Sequence, residues 1–300
     1  MNANAVSALG PARREEYPEY KVRSVIVPLD GTVESTRALP VARRIAKRES
    51  AELYILHVGA QITDPRQKLK GLGVDPGALR GAILEQSSGN PAEIIIQNVR
   101  SKSGPLLVMC THTKPQHVDE GVGSVTRAAI CECSTPVLLI PPDRTYSEWE
   151  VKRVMFPHDG TPESAVGIGR AFHAACEIDA EPLVFHVSTR AEYGTAPVPG
   201  TFASPKYLDQ WQHEMRSWTR EFLERLEALA HHPGGVKLRL FTAAGDPGEE
   251  ILHFAREQRV DVIVLTWHGS WKPERAQIVR KVLAASLCPM LLLRVPPPGT

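Results

Sequence analysis

The sequence repeats itself at a spacing close to half its length. Two segments return 129 residues later and a third returns 156 residues later: VIVPLDGT at 25–32 as VMFPHDGT at 154–161, LHV at 56–58 as FHV at 185–187, and GNPAE at 89–93 as GDPGE at 245–249. Solenoid units run to roughly 20 to 50 residues, so a period of this size indicates two copies of one domain. A chain of 300 residues lets each copy bury a core of its own.

Each copy alternates apolar strand patterns with helical patterns, which predicts an α/β fold with a parallel, doubly wound, five-stranded sheet. The predicted strands of copy one are 22–29, 52–58, 82–86, 105–110 and 137–140, and those of copy two are 151–157, 182–187, 236–242, 260–265 and 290–293. We therefore expect an N-terminal tail at 1–21, domain 1 at 22–142, a linker rich in proline and charge at 143–150, domain 2 at 151–295 and a C-terminal tail at 296–300.

The two copies differ in their helices. A helix predicted at 35–47 contains Pro40, which removes one helix hydrogen bond and predicts a kink. Copy two has a long amphipathic pattern at 205–231, whereas copy one has room only for a short helix at the same point. The aromatic stripe of that long pattern favours packing on the sheet, with an apolar ligand pocket as the alternative.

Charge and cysteine content exclude several classes of protein. The formal net charge is +1 and basic residues form no run, so we expect no nucleic-acid partner. No apolar stretch is long enough to cross a bilayer, so we expect no membrane segment. The five cysteines are scattered and odd in number, which favours a reducing cytoplasm over a disulfide framework.

Ligands of doubly wound sheets bind beyond the carboxyl ends of the strands, where the strand order changes direction. In copy one Asp30 ends the first strand, Val58 ends the second, and residues 109–113 end the fourth. Gly123-Ser124 opens the following helix, where backbone N–H groups and the helix dipole favour an anion. This combination predicts a phosphate-facing edge in copy one.

Both halves resemble the universal stress protein domain, and the chain resembles a tandem member of that family. The resemblance covers about 22–142 and 151–295, and these residues carry it: PLDGT at 28–32, LHV at 56–58, GNPAE at 89–93, TH at 111–112, GSV at 123–125 and TPVL at 135–138. ATP-binding members carry Gly-x2-Gly-x9-Gly-(Ser/Thr) from the fourth strand into the fourth helix. Copy one keeps that spacing with Cys110 and Thr113 at the first two glycines. Copy two keeps only the second glycine, Gly269, has a spacer of six residues instead of nine, and carries Ala276-Gln277 in place of Gly-Ser.

The resemblance implies an adenine nucleotide, ATP or a related one with Mg²⁺ at its phosphates, in copy one. The residues that it assigns to this site are Pro28, Asp30, Val58, Met109, Cys110, Thr113, Gly123, Ser124 and Val125. The corresponding, degenerate site of copy two is Pro157, Asp159, Val187, Thr266 and Gly269. From the residues alone, Asp30 reads equally as a cap of the strand-to-helix turn, because Asp159 recurs in the degenerate copy.

No nucleophile and base occur in a recognisable sequence context, so we expect a binding protein with at most slow ATP hydrolysis and no catalytic residues. The recurring histidines at strand ends favour a structural role, and the group His112, His117, Asp119 and Glu120 lacks the ordered spacing of a metal site.

Two alternatives remain open: a nucleotide-free scaffold in the stress response, and a carrier of an apolar molecule in copy two. By resemblance, the last strands of the two copies pair as a pseudo-dimer within the chain, and two chains can pair further as a homodimer.

Overall fold

A computed structural model describes residues 21–59, 64–111, 122–159, 162–188 and 239–295 of the chain. Domain 1 contains β1 (Ser24–Leu29), α1 (Val33–Thr36), α2 (Ala38–Glu49), β2 (Glu52–Val58), α3 (Pro65–Gly71), a 3-10 turn (Pro76–Leu79), β3 (Ile83–Ser87), α4 (Pro91–Ser101), β4 (Pro105–Cys110), α5 (Ser124–Glu132) and β5 (Val137–Ile140). The described part of domain 2 contains β6 (Arg153–Pro157), α6 (Pro162–Glu177), β7 (Glu181–Ser188), β8 (Arg239–Ala244), α7 (Pro247–Glu257), β9 (Val262–Trp267), α8 (Pro273–Ala285) and β10 (Met290–Arg294).

The strands form one sheet in the order β3-β2-β1-β4-β5-β10-β9-β6-β7-β8. Within each half, all pairings between the described strands are parallel, and the order reverses beside the first strand, between β1 and β4 or between β6 and β9. The predicted doubly wound α/β fold is therefore confirmed.

The two five-stranded sheets join at an antiparallel pair. Met290 lies opposite Leu139 and Leu292 lies opposite Val137, so β5 and β10 pair directly. This contact confirms the expected pairing of the last strands within the chain. The strands at the junction have no free edge, because each covers the backbone groups of the other.

Alternating side chains distribute the core over both faces of the sheet. One face carries α4, α5, α7 and α8, and its apolar cluster runs through both domains, from Ile26 and Leu56 to Ile263 and Val282. The opposite face has one main cluster under α2 in domain 1 and another under α6 in domain 2. The two domains thus share a core on the α5 side.

One expectation needs correction. The predicted kinked helix is two helices, interrupted at Arg37, because in one continuous helix the ring of Pro40 would clash with the Thr36 carbonyl. The segment predicted as a linker packs closely: Tyr146 is only 5% exposed and belongs to the cluster under α2. A composition of proline and charge does not reveal one buried aromatic ring.

Candidate functional site

Most of the predicted site residues of domain 1 lie on the sheet face that carries α5. Val58, Met109 and Val125 belong to or pack against the cluster on that face. Pro28 follows Ile26 by two residues on β1, so its side chain faces the same way. The structure therefore brings the ends of β1, β2 and β4 together with the start of α5.

Within the described residues, the N-cap residue of helix α5 supplies no side-chain cap. Gly123 is the N-cap residue and makes no side-chain hydrogen bond, since glycine has no side chain, and the exposed Ser124 is the first helical residue. In the described part of the chain, no atom outside Gly123, its chain neighbours and the first turn of its own helix lies within 4 Å of the position that a Cβ would take on Gly123. Backbone N–H groups of an uncapped first turn, together with the dipole, favour an anion.

Asp30 holds the turn between β1 and α1. Its Oδ1 accepts hydrogen bonds from the Thr32 backbone N–H at 3.0 Å and from the Thr32 hydroxyl at 2.7 Å. Thr32 in turn caps α1, because its hydroxyl oxygen accepts from the Ser35 backbone N–H at 3.2 Å. The capping role of Asp30 is thus present, and the carboxylate is also exposed beside the strand end.

Cys110 lies on the other face. It follows Val108 of the α2-side cluster by two residues, so its thiol points toward α1 and α2 and away from α5. Burial raises the pKa of this thiol to about 12, partly offset by the positive charge of Arg37, while Asp30, Glu34 and Asp143 raise it further. The side chain that replaces the first motif glycine is a neutral thiol turned away from the start of α5, contrary to the expected phosphate-facing position. The sequence alone did not single out Arg37, Glu34 and Asp143.

The recurring histidines of β2 and β7 make the same contact in both domains. The Nδ1–H of His57 donates to the Leu29 carbonyl oxygen at 3.2 Å, and that of His186 donates to the His158 carbonyl oxygen at 2.9 Å. Each imidazole therefore ties the second strand to the end of the first, which agrees with a structural role.

In domain 2, Pro157 and Val187 occupy the positions of Pro28 and Val58 on the same sheet face, and Asp159 is exposed like Asp30. Thr266, the counterpart of Cys110, faces α6 and its hydroxyl donates to the Ser164 hydroxyl oxygen at 3.0 Å. Gly269 adopts a φ of +76°, and a Cβ there would lie 2.4 Å from the guanidinium of Arg294. The one motif glycine that domain 2 keeps is thus covered by an arginine.

The last helix of domain 2 starts earlier than its counterpart. The helices α5 and α8 end 153 residues apart, at Glu132 and Ala285, but start 149 apart, at Ser124 and Pro273. The additional four residues of α8 extend its N-terminus by about 6 Å toward the loop that precedes it.

Two tryptophans lie at the end of β9 and in the loop that precedes α8. Trp267 stands 156 residues after Thr111, is buried in the shared cluster and packs edge-on against Trp271 with ring centroids 6.2 Å apart. The repeat spacing of 156 residues was the signal that could have revealed this exchange of a threonine for an indole.

Several predicted features lie outside the described residues. These are Thr113, the possible metal group at residues 112–120 and the amphipathic pattern at 205–231. Within the described ranges no group of three or more His, Cys, Asp or Glu side chains could hold a metal ion. In those same ranges no helix combines the length and the apolar composition that a membrane span requires.

Two concavities lie away from this edge. A groove of about 530 Å³ opens at the amino ends of β1 and β2, beside Lys21, Tyr54 and Lys102. A cavity of about 30 Å³ lies under α3 between Gly31, His57 and Leu69. The groove is at the opposite end of the strands from the site, and the cavity is on the face away from α5, so neither belongs to the site described above.

The sequence model of the universal stress protein family matches residues 21–141 and 150–294. The chain belongs to the universal stress protein family. Universal stress protein YxiE of Bacillus subtilis strain 168 is 31% identical over 140 residues, which cover 45% of this chain and 94% of that protein. This length corresponds to one of the two domains.

A solved universal stress protein from Archaeoglobus fulgidus shows the same fold. It is 15% identical and aligns with 93% of this chain and 99% of its own, with a TM-score of 0.62, so the likeness of fold extends over both halves. A universal stress protein solved in complex with cAMP is 23% identical and aligns with 41% of this chain and 99% of its own, with a TM-score of 0.34.

Proposed function

We propose that this tandem universal stress protein binds an adenine nucleotide, ATP or a related one, at the α5 side of domain 1, and that domain 2 has lost the corresponding site. The observation that carries the proposal is the start of α5 at Gly123 and Ser124, where the N-cap residue has no side chain to bond the first-turn amides. This helix start shares a sheet face with Pro28, Val58 and Met109. Backbone donors at a helix start suit phosphate, and apolar strand ends suit the base.

The hydrogen-bonding groups at this edge suit the parts of a nucleotide that they would contact. Asp30 would accept a ribose hydroxyl while it keeps its bonds to Thr32. The first-turn amides after Gly123 and the Ser124 hydroxyl would donate to phosphate oxygens. A bound nucleotide would bring its Mg²⁺ with its phosphates. Cys110 would contribute only its backbone, since its thiol points to the other face.

Three features support the loss of the site in domain 2. The guanidinium of Arg294 covers Gly269, the indole of Trp267 replaces Thr111, and α8 extends four residues further toward the strand ends than α5 does. Each of them departs from the arrangement of domain 1, where Gly123 opens α5 and Thr111 follows β4.

As a physiological context for this binding, we propose a cytoplasmic protein whose nucleotide occupancy changes a surface that partners recognise. Pairing of two chains as a homodimer belongs to the same proposal. A carrier role in domain 2 rests on residues 205–231, which lie outside the described residues.

Calorimetric titration with Mg·ATP, and separately with cAMP, tests the proposal on the full chain. Ser124→Asp and Gly123→Asp keep a good helix start, because acidic residues are favourable there. They place a negative charge where a phosphate would lie, so we expect at least about a tenfold loss of affinity from like-charge repulsion. Gln277→Asp, at the exposed counterpart of Ser124 in domain 2, is the matched control and should bind as the unmodified chain does.

Two results would contradict the proposal. One is an unmodified chain that binds neither nucleotide in the titration and carries none after purification, as mass spectrometry would show. The other is an equal loss of binding in Gln277→Asp, which would move the site to domain 2.

A further inference from the structure

The carboxyl end of α5 is held by an arginine of the other domain. The Nη1 of Arg294, the last residue of β10, donates to the Cys131 carbonyl oxygen and lies 3.5 Å from the Cys133 carbonyl oxygen. These carbonyls belong to the last turn and the C-cap of α5, where the helix dipole is negative and a cation is favourable.

The loop after β9 fixes the position of this arginine. Gly269 has a φ of +76°, and a Cβ on it would lie 2.4 to 2.7 Å from three atoms of the Arg294 guanidinium group. The guanidinium is therefore packed directly on the backbone of Gly269, in a place that any other residue would fill.

A second contact joins the same loop to the same helix end. The Trp271 backbone N–H donates to the Cys131 thiol sulfur. The Trp271 ring and the Cys131 side chain both pack against the apolar cluster that the two domains share. Helix α5 thus contacts the domain 2 loop through its backbone and through a side chain.

The last helix of domain 2 has a similar contact in the opposite direction. Arg144, which follows β5, donates from its Nη1 to the Leu287 carbonyl oxygen just beyond α8, at 3.3 Å. Its own carbonyl oxygen accepts from Arg37, at the start of α2, at 3.3 Å. An arginine of domain 2 therefore contacts the end of α5, and an arginine of the segment between the domains contacts the chain just beyond α8.

We propose that Arg294 is a positioning residue for the nucleotide site of domain 1. In this proposal the loop of domain 2 at residues 268–272 holds the carboxyl end of α5 in place. The inference rests on the function proposed above. Helix α5 has nine residues and a length of about 13 Å, so it moves as a rigid rod. A contact that fixes its carboxyl end also fixes the amides that follow Gly123, and domain 2 thereby sets the affinity of domain 1.

Four variants of the full chain test this role. Arg294→Met removes the charge and keeps the apolar stem, and Arg294→Lys keeps a charge without the planar fork. Gly269→Ala leaves Arg294 in the sequence but places a methyl group against its guanidinium. Arg256→Met is the matched control, because Arg256 donates to the Leu252 carbonyl oxygen within its own helix α7.

Hydrogen exchange of the α5 amides without nucleotide and the ATP dissociation constant are measured for each variant. In Arg294→Met and Gly269→Ala we expect faster exchange in α5 and an ATP dissociation constant raised about twofold to fivefold, the factor that corresponds to one favourable charge at a helix end. Arg294→Lys should recover part of both effects, and Arg256→Met should change neither.

The outcomes separate this inference from the proposed function. If the unmodified chain does not bind ATP, both fall together. If it binds ATP and Arg294→Met changes neither the exchange of α5 nor the affinity, the positioning role alone is wrong. Faster exchange in α5 with an unchanged dissociation constant also overturns the positioning role, because the contact would then serve only the stability of the helix.

Discussion

At the scale of single residues, domain 2 differs from domain 1 in a buried histidine, His158, which stands at the position of Leu29. His158 is 7% exposed, and burial lowers the pKa of its imidazole to about 4, although Asp159 raises this pKa and His186 lowers it further. In the unfolded chain the pKa of histidine is about 6.5. Because the unfolded state binds the proton more readily, stability is complete above pH 6.5 and falls as the pH decreases toward 4.

We expect this histidine to cost up to about 3 kcal/mol of stability between pH 6.5 and pH 4, at 1.36 kcal/mol for each pH unit. Urea unfolding measured across that range tests the expectation. The matched variant is His158→Leu, because Leu29 stands at the same place in domain 1. It should lose that part of the pH dependence. An identical pH profile for both proteins would contradict the assigned pKa.

Glycine at position 104 permits a close approach of two backbone segments. Its φ is +51°, and a Cβ on it would lie 2.3 Å from the Lys21 carbonyl oxygen. Gly81 also has a positive φ, +78°, but no described atom lies near its Cβ position. We expect Gly81→Ala to cost about 1 to 2 kcal/mol from backbone strain, and Gly104→Ala to cost more because backbone must also move. Equal losses in denaturant unfolding would show that the close approach is unimportant.

At the level of elements, an ion pair connects α7 and α8. The Nζ of Lys281 on α8 lies 2.9 Å from Asp246 Oδ1 and 2.7 Å from Glu249 Oε1, and Asp246 is the N-cap of α7. The hydrogen bond from Lys281 holds the pKa of Asp246 below its usual range, and the Glu249 backbone N–H lowers it further. The stability from Asp246 is therefore present above the usual carboxyl pKa and decreases as the pH falls through the lowered one.

Lys281→Met should raise the pKa of Asp246, as an NMR titration of its carboxyl carbon would show. The pKa should remain below the ordinary value, because the capping bond from Glu249 N–H at 2.9 Å is unchanged. Lys272→Met, on the exposed N-cap of α8, provides a control without this ion pair. An unchanged Asp246 pKa in Lys281→Met would contradict the bridge.

Strands were predicted more closely than helix ends. The bounds of β2, β4 and β5 agree with the sequence pattern, because β-branched and apolar runs bounded by turn residues mark a buried strand directly. The start of α8 at Pro273 was not predicted, although proline suits the first helical position. The repeat alignment drew attention to Ala276-Gln277 instead, which lie within the helix.

For the candidate site, the sequence predicted which residues take part but not the direction of every side chain or the contacts between the domains. The positions Pro28, Val58, Met109 and Gly123 follow from the repeat and the family spacing, and the structure brings their strands and helix together. The direction of the Cys110 thiol follows from strand alternation, which a motif does not express. The contact of Arg294 with α5 joins residues 163 positions apart, so no local pattern could indicate it.

At the scale of the whole molecule, one apolar cluster connects the two domains. It includes Leu56 and Met109 of domain 1 together with Phe185 and Met290 of domain 2. The antiparallel pair of β5 and β10 connects the sheets of the two domains. Tyr146, in the segment between the domains, is buried. Neither half can separate without exposing apolar surface of this cluster, which stabilises folding at about 25 cal/mol for each Å² buried.

We therefore expect thermal unfolding to show one calorimetric transition, with a calorimetric enthalpy equal to the van't Hoff enthalpy.

Leu139→Ala, a substitution at a 1% exposed residue opposite Met290, should lower the stability of the whole chain by about 2 to 5 kcal/mol, and the transition should remain single, without a shoulder. Hydrogen exchange should then increase by a similar factor in β1 of domain 1 and β6 of domain 2, because both open in the same event. Val33→Ala, at a 50% exposed residue, is the control and should leave the transition in place. Two transitions, of which Leu139→Ala moves only one, would show that the domains unfold independently in spite of their common core.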